Sequence, residues 1–193
     1  MPDLVKHAIT ENTPKNIVFG AGVIYKNLAF ATNKFTGTII GATQGGSKFT
    51  ITPELTDIEA DGALVKVKGL TVKTGETASM EVNFLEVTPD ILKMTSFGEK
   101  KTTSSATGYD EIVSKASIAA GDYVSGLAYV GKTLEGKDII VIFDNALCTS
   151  GLELEGKNKE NGVVKATFEC YADLTGDLET LPWHIYYPTS VAG

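Results

Sequence analysis

The chain has 193 residues, of which 42% are hydrophobic and 21% charged, a balance typical of a globular protein with one sizeable core or two small ones. Its 17 basic and 24 acidic side chains give a net charge of −7, which excludes binding to DNA or to an anionic membrane through the overall charge of the chain. No signal peptide is visible in the first 15 residues, and no apolar run approaches the ~20 residues of a membrane span. We therefore expect a protein that stays in the cytosol after synthesis.

The glycine-rich stretch GATQGGSK (41–48) resembles a phosphate-binding loop at first sight. Gly41 and Gly46 have the required spacing, but Ser47 and Lys48 follow in the wrong order. The next residues, KFTITPEL, alternate as a strand does, whereas a phosphate loop needs a helix N-terminus to direct its amides at the phosphate. The stretch is therefore interpreted as a loop that enters a strand, with no nucleotide bound.

Period-two alternation continues along the first half of the chain. In KFTITPEL the buried face is predicted to carry Phe49, Ile51 and Leu55. ALVKVKGLTVK is predicted as the next strand, with Gly69 as a bulge. TASMEVNFLEV is predicted to bury one set of alternating side chains: Ala78, Met80, Val82 and Phe84.

One segment, VTPDILKMTSFG, has the pattern of a helix over about 89–97. Thr88 is a good N-cap, Pro89 suits the first helical position and Asp90 favours the positive end of the helix dipole. Gly98 is predicted to close the far end. The following stretch, 98–111, has almost no apolar side chains and is predicted as a long exposed loop, mobile in the free protein and used for subunit contacts through Glu99, Lys100 and Lys101.

The second half is predicted to hold the central strand and a long hairpin. KDIIVIFDN (137–145) is a continuous β-branched run, which predicts burial on both faces, and PWHIYYP predicts a short last strand. A long hairpin tip over GKNKENG pairs Leu154 with Val164 and places Cys148 opposite Cys170. The two cysteines are then predicted to be buried neighbours, more as thiols than as a disulfide.

No constellation of catalytic or metal-binding residues is found in the sequence. His184 is interpreted as an edge or interface histidine, and no Cys/His cluster accompanies it or His7. Three carboxylate pairs are interpreted as solvated faces: Asp57/Glu59, Glu153/Glu155 and Asp173/Asp177. We therefore predict no enzyme, no cofactor and no metal, in a mainly β protein whose strands form an antiparallel sandwich or barrel with one short flanking helix.

The order of motifs over residues 36–94 resembles the first half of the major tail (tail tube) proteins of long-tailed bacteriophages. A glycine-rich entry leads to a strand with Glu54, followed by Asp61-Gly62, then VKGL (67–70), and then Glu86-Val87-Thr88-Pro89 before the helix. The stretch AYVGKTLEGKDIIVIFDNALCTSGLELEGKNKENGVVKATFECYAD is similar to the family's second half, and LPWHIYYP to its last strand. Together these stretches cover roughly residues 17 to 188.

The resemblance implies an N-terminal arm over 1–15 and a single tail-tube β domain over 16–193. It implies six-fold rings that stack into a tube in the virion tail, assembled in the cytoplasm of the host bacterium. DNA would pass through the lumen without specific binding, and an acidic wall would repel its phosphates. The implied partners are further copies of the chain, the tape measure, the tail terminator and the distal tail protein, with no membrane. Two alternatives remain open: the tube of a phage-derived bacteriocin or type VI-like injection device, and a non-enzymatic β-sandwich binding module.

Overall fold

The structure is a computed structural model that describes residues 8–156 and 158–189. Within them lie two α-helices, α1 (Thr13–Asn16) and α2 (Pro89–Ser96). The strands of the first half are β1 (Val18–Ala31), β2 (Lys34–Ile39), β3 (Thr43–Asp57), β4 (Thr71–Phe84) and β5 (Gly98–Lys100). Those of the second half are β6 (Ile112–Ser114), β7 (Val124–Thr133), β8 (Asp138–Cys148), β9 (Glu153–Glu155), β10 (Val163–Cys170) and β11 (Trp183–Tyr186). The predicted mainly β fold with one short flanking helix is confirmed.

One antiparallel sheet dominates the molecule. Its strands follow the order β2-β1-β7-β8-β10-β4-β3, with β11 paired to β8 and β9 paired to β10. The sheet curls, so that β3, at one end of the strand order, comes close to β1 near the other end. Because of this curl, one face of the sheet surrounds a common core and the other is turned outward.

The core is built from alternate residues of the central strands, as the sequence predicts. Ala78, Met80, Val82 and Phe84 of β4 are all buried on one face. The run 140–143 of β8 is buried on both faces, since Val141 and Phe143 lie in the main core and Ile140 and Ile142 lie in a second apolar cluster on the opposite face. These two predictions are confirmed.

The outward face of β1, β7 and β8 has a second, smaller apolar cluster made of Leu28, Ala128, Ile140 and Ile142. Phe35 of β2 packs against this cluster, and its ring meets the ring of Tyr186 of β11 edge to face with 4.9 Å between centroids. An antiparallel sheet commonly has one solvated face. Here side chains such as Phe35 cover part of the outward face as well.

Helix α2 begins as predicted and ends differently. The Thr88 hydroxyl accepts a hydrogen bond from the Ile91 amide at 3.3 Å, and Ile91 is fully buried. The left-handed residue that ends the helix is Phe97, at φ 51°, rather than Gly98. Gly98 serves close packing instead, because a Cβ there would lie 2.4 Å from a methyl of Ile112.

The predicted strand over ALVKVKGLTVK is wrong in its first part. Residues 63–70 form an irregular loop with a turn at 68–69, and β4 begins only at Thr71. Gly69, with φ of +94°, is part of a turn instead of a bulge. Leu55, predicted to be buried, is exposed, because the β3–β4 hairpin extends beyond the core at this point.

The cysteine hairpin is correct at its tip and shifted at its base. Val164 pairs with Leu154 as predicted, which confirms the long tip. Cys148, however, pairs with Phe168 and Cys170 pairs with Ala146, so the predicted Cys148–Cys170 pair is wrong by two residues. The shift arises between the two ladders, where the Ser150 hydroxyl accepts from the Thr167 amide at 2.9 Å. Both cysteines are buried and free, as predicted, and burial raises the pKa of Cys170 to about 12, with Asp144 and Glu76 adding to the effect.

The stretch 98–111 is more organised than a plain exposed loop, because its first residues form β5, which pairs with β6. Lys100 pairs with Asp110 and Lys101 with Glu111, each at 2.7 Å. The lysines predicted to meet a neighbouring subunit therefore have acidic partners inside the chain. The division into an arm over 1–15 and a domain over 16–193 stays a prediction, and residues 1–7 lie outside the described residues.

We expect acid to loosen this small hairpin. The ion pair with Lys101 and the hydrogen bonds from Ser105 lower the pKa of Glu111 from 4.5 to about 2. Since the folded pKa is depressed, the stabilisation is fully present above pH 4.5 and is lost as the pH falls towards 2. Amide hydrogen exchange of residues 98–114 should therefore accelerate at pH 3 relative to pH 6, after correction for intrinsic rates. Glu111→Gln should show the faster opening at both pH values, whereas Glu99→Gln should behave as wild type; equal behaviour of the two variants contradicts the assignment.

A nearly buried ion pair fixes the segment before β7. The carboxylate of Asp122 is 4% exposed, contacts the Lys115 ammonium and accepts from the Ala119 amide at 2.7 Å. Burial opposes its charge, but the Ala119 amide and Lys115 hold the pKa of Asp122 below its usual value.

Asp122→Asn should lower the free energy of unfolding by about 2–3 kcal/mol, because it leaves the mostly buried Lys115 without a counter-ion. The matched change Asp138→Asn removes an exposed pair with Lys132 and should cost less than about 1 kcal/mol. Urea unfolding measures both, and similar losses for the two variants would contradict the role given to Asp122.

Candidate assembly surfaces

The glycine-rich stretch 41–48 leads into a strand and not into a helix. β3 begins at Thr43, and Gly45 and Gly46 both have φ of +83°, a conformation that glycine adopts without strain. The Lys48 ammonium lies 2.9 Å from the Glu81 carboxylate across the ladder. The expectation of a strand in place of a helix is confirmed, but most of the stretch is itself part of β3, with Gly45 and Gly46 at an irregularity of its pairing with β4, and is not a loop.

His184 lies on the exposed face of β11, paired with β8. Its Nε2 is 3.3 Å from a carboxylate oxygen of Asp144, and both side chains are half exposed. This arrangement agrees with an edge or interface histidine. In the described ranges, no group of three or more His, Cys, Asp or Glu side chains could hold a metal ion.

The three predicted carboxylate pairs differ in their local contacts. Asp57 accepts from Lys66 and from Thr71, and these bonds lower its pKa. Glu153 faces Lys165 across the β9–β10 ladder. Asp173 and Asp177 accept bonds from residues of their own turns. None of these contacts brings two carboxylates together as an acid/base pair.

A long hairpin made of the outer parts of β3 and β4 is the main projecting feature. β10 pairs with β4 only over 79–84, so residues 53–76, called here the arm, extend beyond the ladder with β10. The base of the arm is fixed where Trp183 Nε1 donates to Glu76 Oε1 at 2.5 Å, with Lys73 on the same carboxylate. Six large apolar side chains of the arm are exposed: Leu55, Ile58, Leu64, Val65, Val67 and Val72.

The end of the arm, residues 63–68, is called here the arm tip. Turn hydrogen bonds shape it: the Ala63 amide donates to Ala60 O and the Leu70 amide to Val67 O, both at 3.1 Å. Leu64 is 98% exposed. A tip with fixed turns and uncovered apolar side chains is typical of a surface that meets a partner.

A second exposed apolar feature is residues 172–180, called here the acidic leucine loop. Asp173 Oδ1 accepts from the Thr175 amide at 2.8 Å, and Asp177 Oδ1 accepts from the Glu179 amide at 2.8 Å. The two short turns leave Leu174 and Leu178 in solvent. Every charged side chain of this loop is acidic.

Sequence reasoning missed both surfaces. The alternation of 63–72 predicted a buried strand, and the loop was noticed only for its carboxylates. A usable signal was present in the repeated Asp-Leu-Thr and Asp-Leu-Glu-Thr, since Asp and Thr two or three residues apart favour hydrogen-bonded turns that leave the intervening leucine outside.

The chain matches no protein-family model, and no curated protein matches it. Among solved structures, it is similar to a chain from the tail of an empty gene transfer agent particle, computed with helical refinement and C6 symmetry, with a TM-score of 0.42 and 10% identity over 79% of this chain and 92% of that chain. It is also similar to a chain from the virion of a native gene transfer agent particle, with a TM-score of 0.41, 10% identity and the same coverage. The proposals on function therefore rest on the residues and surfaces of the chain itself. None of the helices in the described part of the chain is both long and apolar enough to cross a membrane.

Proposed function

We propose that the protein is a structural subunit of a phage-like tail, a tail tube protein that forms stacked six-fold rings through which DNA passes into the host. The motif order over residues 36–94 and 128–173 supports this proposal. In this role the protein is not an enzyme and needs no cofactor. Its partners are other copies of itself and the tail proteins that start, measure and end the tube, and its final place is the virion.

The observation that carries the proposal is the outer edge of β3, which the curl of the sheet brings near β1 over part of its length without pairing to it. Among the described strands, β3 pairs only with β4, over a strand of 15 residues. A long unpaired edge is a template for pairing with another chain, and proteins that stay monomeric usually shorten or charge it. In a ring, neighbouring copies would satisfy such edges, and their sheets would join into one continuous barrel.

The acidic character of the chain supports the passage of DNA. A net charge of −7 makes the average surface repel phosphates, so DNA would slide along the lumen and not adhere to it. An outer sheet face with alternating small polar and charged groups, such as Thr50 opposite Ser79 and Lys48 opposite Glu81, suits contact with water better than a dry interface.

Electron microscopy of the purified protein tests the proposal. At the highest concentration at which the protein stays soluble, we expect six-fold rings or tubes. Particles that remain single subunits there, with and without crowding agents, would contradict the tube function.

A matched pair of double variants tests the edge. Thr50→Lys/Thr52→Lys adds charges to the edge strand, and Thr77→Lys/Ser79→Lys adds them to the opposite positions of β4. The edge variant should fold and stay monomeric, because lysines on an edge oppose strand pairing. The β4 variant should still assemble, and equal assembly of both variants overturns the role of β3.

A further inference from the structure

We propose that the arm tip of one copy docks on the acidic leucine loop of the next copy, in a head-to-tail contact. The inference rests on the proposed function, because it names the partner and the surface through which subunits recognise each other. It predicts that Leu64 and Val65 of one copy cover Leu174 and Leu178 of its neighbour.

The two surfaces are complementary in apolar area. Leu64 is 98% exposed and Leu174 is 92% exposed, and Val65 and Leu178 beside them are also exposed. Each side would offer two branched side chains of similar size. Removing four such side chains from water favours association and offsets part of the entropy lost when the two segments become ordered.

The two surfaces are also complementary in charge. The arm tip contains Lys66 and Lys68 and no acidic residue, whereas the acidic leucine loop contains Asp173, Asp177 and Glu179 and no basic residue. Lys66 already pairs with Asp57 at 2.6 Å. Lys68 and Glu179 are therefore the pair best suited to fix the register of the contact, since opposite charges at the rim orient two partners more than they tighten them.

The position of the loop explains why the contact must join two copies. Leu178, Glu179 and Leu181 line one cleft with residues 73–76, at the base of the arm. The tip lies at the other end of the arm, separated from this cleft by residues 69–72. Within one molecule the tip does not cover the loop, since Leu64 is 98% and Leu174 92% exposed, but it can reach the loop of a neighbour displaced along the arm.

A head-to-tail contact has a definite consequence for assembly. It uses two different patches, so each copy keeps one free tip and one free loop after pairing. Repetition gives closed rings or open filaments and excludes a two-fold dimer as the end product. Both turns of the loop are held by their aspartates, so the receiving surface is ordered before the tip arrives and the entropy cost of docking is lower.

Disulfide trapping between two singly substituted proteins tests the contact directly. A mixture of the full chains Leu64→Cys and Leu178→Cys should form a mixed disulfide on mild oxidation, on the order of tenfold more than a mixture of Leu64→Cys with Leu134→Cys. Leu134 is exposed but lies outside both surfaces, and the native Cys148 and Cys170 are buried. Yields equal to the control, or tip-to-tip homodimers as the main product, overturn the proposal.

Charge reversal supplies a second measurement and separates the two proposals. Lys68→Glu should lower the yield of the mixed disulfide several-fold, and Glu179→Lys on the partner should restore it; no rescue contradicts the register. Electron microscopy of the same samples is read independently. Tubes without the tip-to-loop disulfide leave the tube function standing and remove this contact, whereas the disulfide without rings or tubes supports the contact and removes the tube function.

Discussion

Replacing Phe168 with alanine is expected to lower the free energy of unfolding by about 3–5 kcal/mol. The side chain is 0% exposed and lies in β10 between Cys148 of β8 and Met80 of β4. Its ring meets the ring of Phe84 edge to face, at 6.4 Å between centroids. Truncation removes the transfer energy of the ring and leaves a cavity that strands on both sides keep open.

Phe19→Ala is the matched control for this prediction. Phe19 lies in β1 with 73% of its surface exposed, so its loss should change stability by less than about 0.5 kcal/mol. Urea unfolding followed by fluorescence or circular dichroism measures both variants. A loss below about 1.5 kcal/mol for Phe168→Ala would mean that the core collapses around the missing ring.

Replacing Gly126 with alanine is expected to cost about 3–5 kcal/mol, although it adds a single methyl group. Gly126 is the third residue of β7 and has φ of +54°, where a side chain is strained. A Cβ there would also lie 2.7 Å from the carbonyl oxygen and 2.8 Å from the amide nitrogen of Leu28. Both atoms belong to the backbone of β1, so relief requires a shift of one strand against the other.

Gly136→Ala separates the two contributions. Gly136 has φ of +79° and open space where a Cβ would be, so only the backbone strain of about 1–2 kcal/mol applies. The difference between the two variants in thermal or urea unfolding is then the cost of the close approach between β1 and β7. Equal losses would show that the strands adjust freely at this point.

The structure also shows why register could not be predicted from alternation. From the even spacing of Leu154, Val164, Phe168 and Cys170, the sequence correctly predicted that these residues lie on the two strands of one hairpin. The predicted pairing at the hairpin tip is correct. At the cysteines the observed pairing differs from the predicted one by two residues, because Ser150 and Gly151 lie in a break between β8 and β9. A shift of two preserves which face each side chain occupies, so the period-two pattern contains no trace of it.

Burial of an alternating run is likewise a property of its neighbours. The pattern of Val65 and Val67 is as regular as that of Met80 and Val82. The second pair is buried because it faces the core cluster that includes Phe143 and Phe168, whereas the first lies at the end of a hairpin that extends beyond the ladder with β10. The hairpin 98–114 differs from its prediction for a related reason: its order comes from ion pairs between residues ten apart in sequence, such as Lys100 with Asp110.

The sequence by itself determined the mainly β class, the buried faces of β4 and β8, the capped start of α2, the last strand and the free state of both cysteines. These features depend on local preferences and on the period of apolar residues, which a chain expresses wherever it folds. Only the tertiary structure decided the curl of the sheet, the two-residue shift in the cysteine hairpin, the projection of the arm and the exposure of the leucines at 174 and 178. Each of these features depends on which strands become neighbours and on where their pairing ends. Contacts between residues far apart in sequence decide both, and local sequence patterns do not contain this information.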